Sequence, residues 1–182
     1  MVGKLQSNKA KDAVKLFDYI HSVDNQKLAD NLSKHQKNLN KNLKYFIQVN
    51  IGNEIQKSGI AVNELDGFFN YCTQEKDLDV VGLMIIPPND ENVKKYFETL
   101  NKLNNSLALK ESSMGMSADY LEAVRNNATF LRIGSLIFGE RTVVLANLTS
   151  SLTFTTSSLV KAKISKENME KVIPVISVIV SL

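Results

Sequence analysis

Two short apolar segments, residues 113–116 and 130–133, each carry or lead into a glycine within two residues of a small hydroxyl residue, with an amphipathic turn and helix to residue 126 between them. That pattern predicts a βαβ unit with a glycine at the ligand-facing end of each strand. Such units impose a parallel sheet covered by helices, because parallel neighbours need a long crossover. A glycine beside serine lets backbone N–H groups converge on an anion with no Cβ in the way. Ser113, Met116, Ser117, Gly134 and Ser135 therefore form a candidate phosphate cradle, acting through hydroxyls and N–H groups. In (β/α)8 barrels a phosphate commonly sits in the loops after the last two strands. The plainer reading of each Gly-Ser pair, a tight turn, stays open beside it. Ser117 with Asp119 also reads as an ordinary helix start, which itself favours an anion.

The same alternation runs back through the chain. Residues 5–6 read as the end of a strand, and Ser7 or Asn8 as the cap of a helix to residue 16. A strand is expected over 18–21, with Ser22 or Asp24 capping the helix that carries Leu28, Ala29 and Leu32. Residues 45–51 are almost continuously apolar, as a strand covered on both faces must be. Residues 62–74 place Leu65, Phe68, Phe69 and Cys72 at helical spacing. The strand expected over 80–86 stops at Pro87 and Pro88, which lack the N–H a ladder needs. Asn89 or Asp90 then caps a long helix with an apolar stripe from Val93 to Leu107. Residues 1–141 thus supply about five strand-helix steps and the tail of an earlier one, whereas a closed barrel of this class takes eight strands.

Composition narrows the function classes. The 182 residues, 43% apolar, suit one domain with a substantial core. Residues 1–50 hold nine lysines against four aspartates. Few arginines and no basic run interleaved with aromatics make solvated helix faces the reading, rather than a nucleic-acid surface. Cys72 is the only cysteine, which rules out an intrachain disulfide or a cysteine-based zinc site. The first residues lack the apolar segment of a signal peptide, so the expected location is cytoplasmic. Residues 149–158 are mostly Ser and Thr and read as a linker. The Val- and Ile-rich residues 172–182 have the composition of a strand and are too short to cross a bilayer as a helix. The expected division is a partial barrel over 1–141 and an atypical extension over 142–182.

The strings S-M-G-M-S-x-D at 113–119 and R-I-G-S-x-I-F-G-x-R at 132–141 resemble those of the pyridoxal phosphate homeostasis proteins. So do G-K-L-Q-S-N-K at 3–9, I-H-S-V-D at 20–24, I-Q-V-N at 47–50, K-S-G at 57–59 and G-L-M-x-I-P-P at 82–88. The resemblance implies an α/β fold: an incomplete (β/α)8 barrel of the alanine racemase N-terminal type. On this comparison the first two units and most of the third strand are missing. The family's lysine that bonds covalently to pyridoxal 5'-phosphate falls in that segment. Family members also usually stop soon after the F-G-x-R string.

Further roles follow from the resemblance. Arg132 ends a buried-looking strand, where a charge needs a partner. Its family counterpart lies near the pyridine nitrogen, which weakens the ring as an electron sink and suits a carrier. The alternative is a structural salt bridge. Asn50 is expected either near the ring or capping its loop, and Met84 against the ring or in the core. His21 is either hydrogen-bonded structure or a proton carrier. Lys4 and Lys9 lie near the expected pocket, while Lys57 reads as solvated.

The function implied is non-enzymatic: binding and buffering of pyridoxal 5'-phosphate, with pyridoxal-dependent apo-enzymes as recipients and a monomer as the full-length form. Two alternatives stand beside it. One is a racemase- or decarboxylase-like enzyme, which needs the covalent lysine and ordinarily a partner domain. The other is a non-functional fragment, or an interaction protein that offers its open sheet edge. Neither a membrane nor a nucleic acid is an expected partner.

Overall fold

The computed structural model of the chain describes residues 1–54 and 56–139, together with the backbone of Ser177 and Val178. Most of the expected linker and extension over 142–182 lies outside the described residues.

The strands are β1 (Tyr19–Val23), β2 (Lys44–Asn50), β3 (Ile60–Ala61), β4 (Asp79–Ile85), β5 (Glu111–Met116), β6 (Phe130–Arg132) and β7 (Ser177–Val178). All pair in parallel in the spatial order β1-β2-β4-β5-β6-β7, with β3 adding to the end of β2 at Val49 and Asn50. The helices are α1 (Ala10–Leu16), α2 (Gln26–Leu39), α3 (Leu65–Asn70), α4 (Val93–Ser106), α5 (Tyr120–Arg125) and α6 (Ser135–Phe138). The five expected strand-helix steps are therefore present, as an arc of sheet.

Strand periodicity divides the side chains between two faces. Tyr45, Ile47 and Val49 of β2 join Leu28 and Leu32 of α2, Leu83 and Ile85 of β4 and Leu100 of α4 in the main core. Each fully buried leucine there contributes roughly 1.5–3 kcal/mol. Phe46, Met84 and Phe130 occupy the other face, in a second buried cluster. Most elements expected from sequence begin or end within two residues of the observed bounds.

The caps differ more. Asn25 caps α2, its Oδ1 accepting the Leu28 N–H at 2.9 Å. Ser22 is unavailable because it lies inside β1 and donates to the Gly3 carbonyl, and the Asp24 carboxylate accepts from Asn25 Nδ2. Neither Ser7 nor Asn8 caps α1. A 3₁₀ turn over Ser7–Lys9 precedes it and uses its own Lys9 N–H to Gln6 carbonyl bond. The helix expected over 62–74 is instead a 3₁₀ turn, α3 and a π-turn over Tyr71–Glu75. Asp90 accepts the N–H of Asn92, the residue just before α4. Residues 5–6, expected to end a strand, lie in no assigned strand, although the Met1 carbonyl accepts the His21 N–H at the edge of β1.

Gly82 sets how closely β4 and β5 approach, because a Cβ there would lie 2.0 Å from the Glu111 carbonyl oxygen. That oxygen cannot move without breaking the pairing of Gly82 with Glu111. Gly82→Ala should therefore lower stability by about 3 kcal/mol, the upper range for overpacking. Urea unfolding of the two proteins checks this, and equal midpoints would show that the two strands can separate freely.

Candidate functional site

Because the strands are parallel, Val23, Asn50, Ile85, Met116 and Arg132 all end at one edge of the sheet. Ligands of open α/β sheets bind outside this edge. Two polar constellations form near it, one within the sheet and one in the loops.

The first links polar side chains from three strands, β1, β5 and β6. His21 of β1 stacks on Phe46, ring centroids 4.3 Å apart, and meets Phe130 edge-on at 5.3 Å. Its Nδ1 lies 2.8 Å from Ser113 Oγ of β5. Arg132 of β6 donates from Nη1 to the same Oγ at 2.8 Å and from Nη2 to the Ile85 carbonyl at 2.6 Å. Ser113 is wholly buried and Arg132 is 7% exposed. Among the described residues no carboxylate is within salt-bridge distance of Arg132, so the salt-bridge alternative finds no partner there. A hydroxyl and a carbonyl compensate a buried cation only in part. Burial pushes the Arg132 guanidinium down to about 10, while Asp119 acts in the opposite direction. His21 is pushed down to about 3, first by burial and then by the positive charges of the Met1 amine and Arg132. It is neutral at physiological pH.

The second constellation joins the loops after β5 and β6. Ser117 Oγ accepts the N–H groups of Gly134 at 3.3 Å and Leu136 at 3.2 Å. Two donors, one from the loop after β6 and one from the first turn of α6, thus converge on a hydroxyl from the loop after β5. Asp119 closes the first loop by accepting the Met116 N–H, so it serves the turn rather than capping α5. Gly115, at φ +90°, has no room for a side chain: a Cβ would sit 2.5 Å from Ala123 Cβ. Loop and helix α5 are held together by this contact.

The structure therefore divides the five residues grouped from sequence. Ser117 and Gly134 meet, with Met116 and Ser135, both exposed, beside them. Ser113 belongs instead with Arg132. Asn50 takes the loop-capping alternative, donating to the Glu54 carbonyl at 2.8 Å and accepting the Glu54 N–H at 3.2 Å. It lines a cavity of about 330 Å³ with Lys4, Gln48, Lys57 and Ile86. Lys57 is not simply solvated, since it pairs with Glu54 at 2.9 Å. Met84 is fully buried in the core cluster. Nothing in the sequence pattern announces the link from His21 through Ser113 to Arg132. Its only trace there is that each of the three lies in a short strand. Among the described residues no group of His, Cys, Asp and Glu could hold a metal, and no helix is long and apolar enough to cross a membrane.

A parallel sheet with one helix-covered face defines the class: an α/β domain of the barrel type. The family of the alanine racemase N-terminal domain matches residues 1–142. Curated relatives include the pyridoxal phosphate homeostasis proteins of Aquifex aeolicus, 40% identical, and of a Synechocystis species, 39% identical. Each covers 77% of this chain, which in turn covers 65% and 68% of them. The solved structure of PipY from Synechococcus elongatus without pyridoxal phosphate superposes with a TM-score of 0.68 at 34% identity, and the one with it bound at 0.64. Both span 73% of this chain and 66% of the PipY chain. The chain thus belongs to the pyridoxal phosphate homeostasis family, and its fold is an incomplete (β/α)8 barrel of the alanine racemase N-terminal type. It spans about two thirds of the length of these relatives.

The buried histidine makes stability depend on pH. Its folded pKa, about 3, lies below the ordinary value of 6.5, so the unfolded chain binds the extra proton between these limits. The stabilisation is complete above pH 6.5 and is lost as pH falls toward 3, at up to about 1.4 kcal/mol per pH unit. In urea unfolding across this range, His21→Asn should show a shallower decline than the wild type. Parallel profiles would mean that His21 takes up its proton in the folded state.

Proposed function

We propose that this chain binds pyridoxal 5'-phosphate without turning it over, as a carrier or buffer of the cofactor. The observation that carries the reading is the pairing of a buried guanidinium, lacking a carboxylate among the described residues, with backbone donors two and four residues further along. Arg132 supplies the cation, and Gly134 and Leu136 supply N–H groups that already converge on one oxygen, Ser117 Oγ. This donor set fits a phosphorylated pyridine. Ser117, Gly134 and Ser135, with Met116 beside them, would hold the phosphate. Arg132 would face the ring nitrogen, held in place by Ser113.

Bound pyridoxal phosphate supplies an aldehyde and an electron-withdrawing ring. A guanidinium has only hydrogens to offer and so favours an unprotonated ring nitrogen. That arrangement suits holding the cofactor rather than driving carbanion chemistry. General acid-base catalysis needs a group within reach of the reacting atoms at a matched pKa. His21 is buried and neutral, and its Nδ1 is engaged by Ser113, so it does not meet that need. The relatives' names and the PipY structure with bound pyridoxal phosphate support the same reading. Asn50 and Met84 have a supporting part, one shaping the loop after β2 and the other the core under the site. We take residues 1–141 as the binding unit and 142–182 as an extension outside it. A cytoplasmic monomer that delivers the cofactor to apo-enzymes completes the proposal.

Equilibrium dialysis against pyridoxal 5'-phosphate tests it. The wild type should bind saturably, and Ser117→Ala with Arg132→Ala should weaken binding by about two orders of magnitude, as expected for losing charge-assisted bonds. Unchanged affinity in the double variant would remove these residues from the site. Borohydride reduction with peptide mapping then reports whether a lysine such as Lys4 or Lys9 is attached to the ligand.

A further inference from the structure

We infer that His21 is a positioning residue for Arg132, acting through the Ser113 hydroxyl, and that the two together fix the direction in which the guanidinium presents its remaining N–H groups. Its relevance to the ligand rests on the binding proposed above, although the arrangement itself can be read in the ligand-free chain.

The available protons decide the arrangement. A guanidinium cannot accept a hydrogen bond, so Arg132 Nη1 donates to Ser113 Oγ. The serine has one hydrogen of its own, and the second close partner of its oxygen is His21 Nδ1. That hydrogen goes to Nδ1, which must then be an acceptor, and the imidazole proton sits on Nε2. The opposite tautomer would point a second donor at Ser113 and leave the serine hydrogen without an acceptor in a wholly buried place. The observed burial and the positive charge of Arg132 both oppose an imidazolium, which agrees with this assignment.

His21 Nε2 is buried and, among the described residues, has no hydrogen-bond partner. An unpaired buried N–H is unfavourable, and an apolar ring in the same slot would avoid it. What the imidazole adds to this aromatic stack is therefore its Nδ1 lone pair. Stacking on Phe46, 16° from parallel, holds the ring plane and so the direction of that lone pair. The Ser113 hydrogen is oriented in turn, and its oxygen presents a lone pair to Arg132. With Nη1 held by Ser113 and Nη2 by the Ile85 carbonyl, the guanidinium plane has two fixed points. Such support matters because long arginine side chains otherwise retain rotational freedom, and binding sites depend on donors held before the ligand arrives.

The test has a ligand-free arm and a binding arm. In ¹⁵N NMR of the wild type, His21 should show a pyridine-like Nδ1 and a protonated Nε2, and Arg132 should show separate Nη signals. Ser113→Ala and His21→Leu should merge the Nη signals by freeing rotation about Nε–Cζ. His21→Asn, whose Oδ1 replaces Nδ1 as acceptor, should keep them apart. An imidazolium, an Nδ1-protonated ring, or Nη signals unchanged in Ser113→Ala would overturn the inference. In dialysis against pyridoxal 5'-phosphate, Ser113→Ala and His21→Leu should each weaken binding by about tenfold, the effect of one lost hydrogen bond. His21→Asn should restore it, and neither loss should recur in an Arg132→Ala background. Undiminished losses in that background would sink the coupling. Ser113→Ala deletes the link with the smaller change if His21→Leu fails to fold. A wild type that binds no pyridoxal phosphate would refute the proposed function, and the NMR arm would still decide the inference.

Discussion

A guanidinium buried to 7% exposure and held by two neutral oxygens is the constraint around which this sheet is arranged. Burying an unpaired cation is among the least favourable things a fold can do, and two charge-assisted bonds offset it only if their geometry is maintained. The bonds come from β5 and β4, so the pairing of β4, β5 and β6 has to be correct before Arg132 can be accommodated. Gly82 allows β4 and β5 to approach closely enough. Gly115 lets the end of β5 turn against α5 and places Ser117 opposite Gly134. Core packing and site geometry are thus one problem at this end of the sheet.

The second face carries a complementary logic. Phe46 and Phe130 cover the His21 ring, and its burial keeps the imidazole neutral and preserves Nδ1 as an acceptor. Were this cluster wet, Ser113 would have water as an alternative partner and Arg132 a less defined orientation. Aromatic packing and polar positioning are coupled through one ring, which touches both.

The helical side of the sheet is more forgiving. Loss of a cap at Ser22 or Asp24 is met by Asn25, and the helix expected over 62–74 changes pitch twice while still burying Leu65, Phe68 and Cys72. Burial of an apolar stripe is nearly indifferent to whether its turns are 3₁₀, α or π. The main core therefore tolerates local irregularity that the strand ends do not.

Periodicity determined the elements and the α/β class, because alternating apolar strands and amphipathic helices leave few other ways to bury those side chains. The glycine-serine pairs at 115–117 and 134–135 located the strand-end loops, since the backbone freedom of glycine is a local property. Which residues meet was another matter. Ser113 and Ser117 are four positions apart and read alike, yet one faces Arg132 from inside the sheet and the other meets the donors of Gly134 and Leu136. Asn50 turned to its own loop, and His21 found a partner 92 positions away. Sequence fixes what each side chain can donate or accept. Strand register, set by packing across the whole sheet, alone decides which of those groups come within hydrogen-bonding distance.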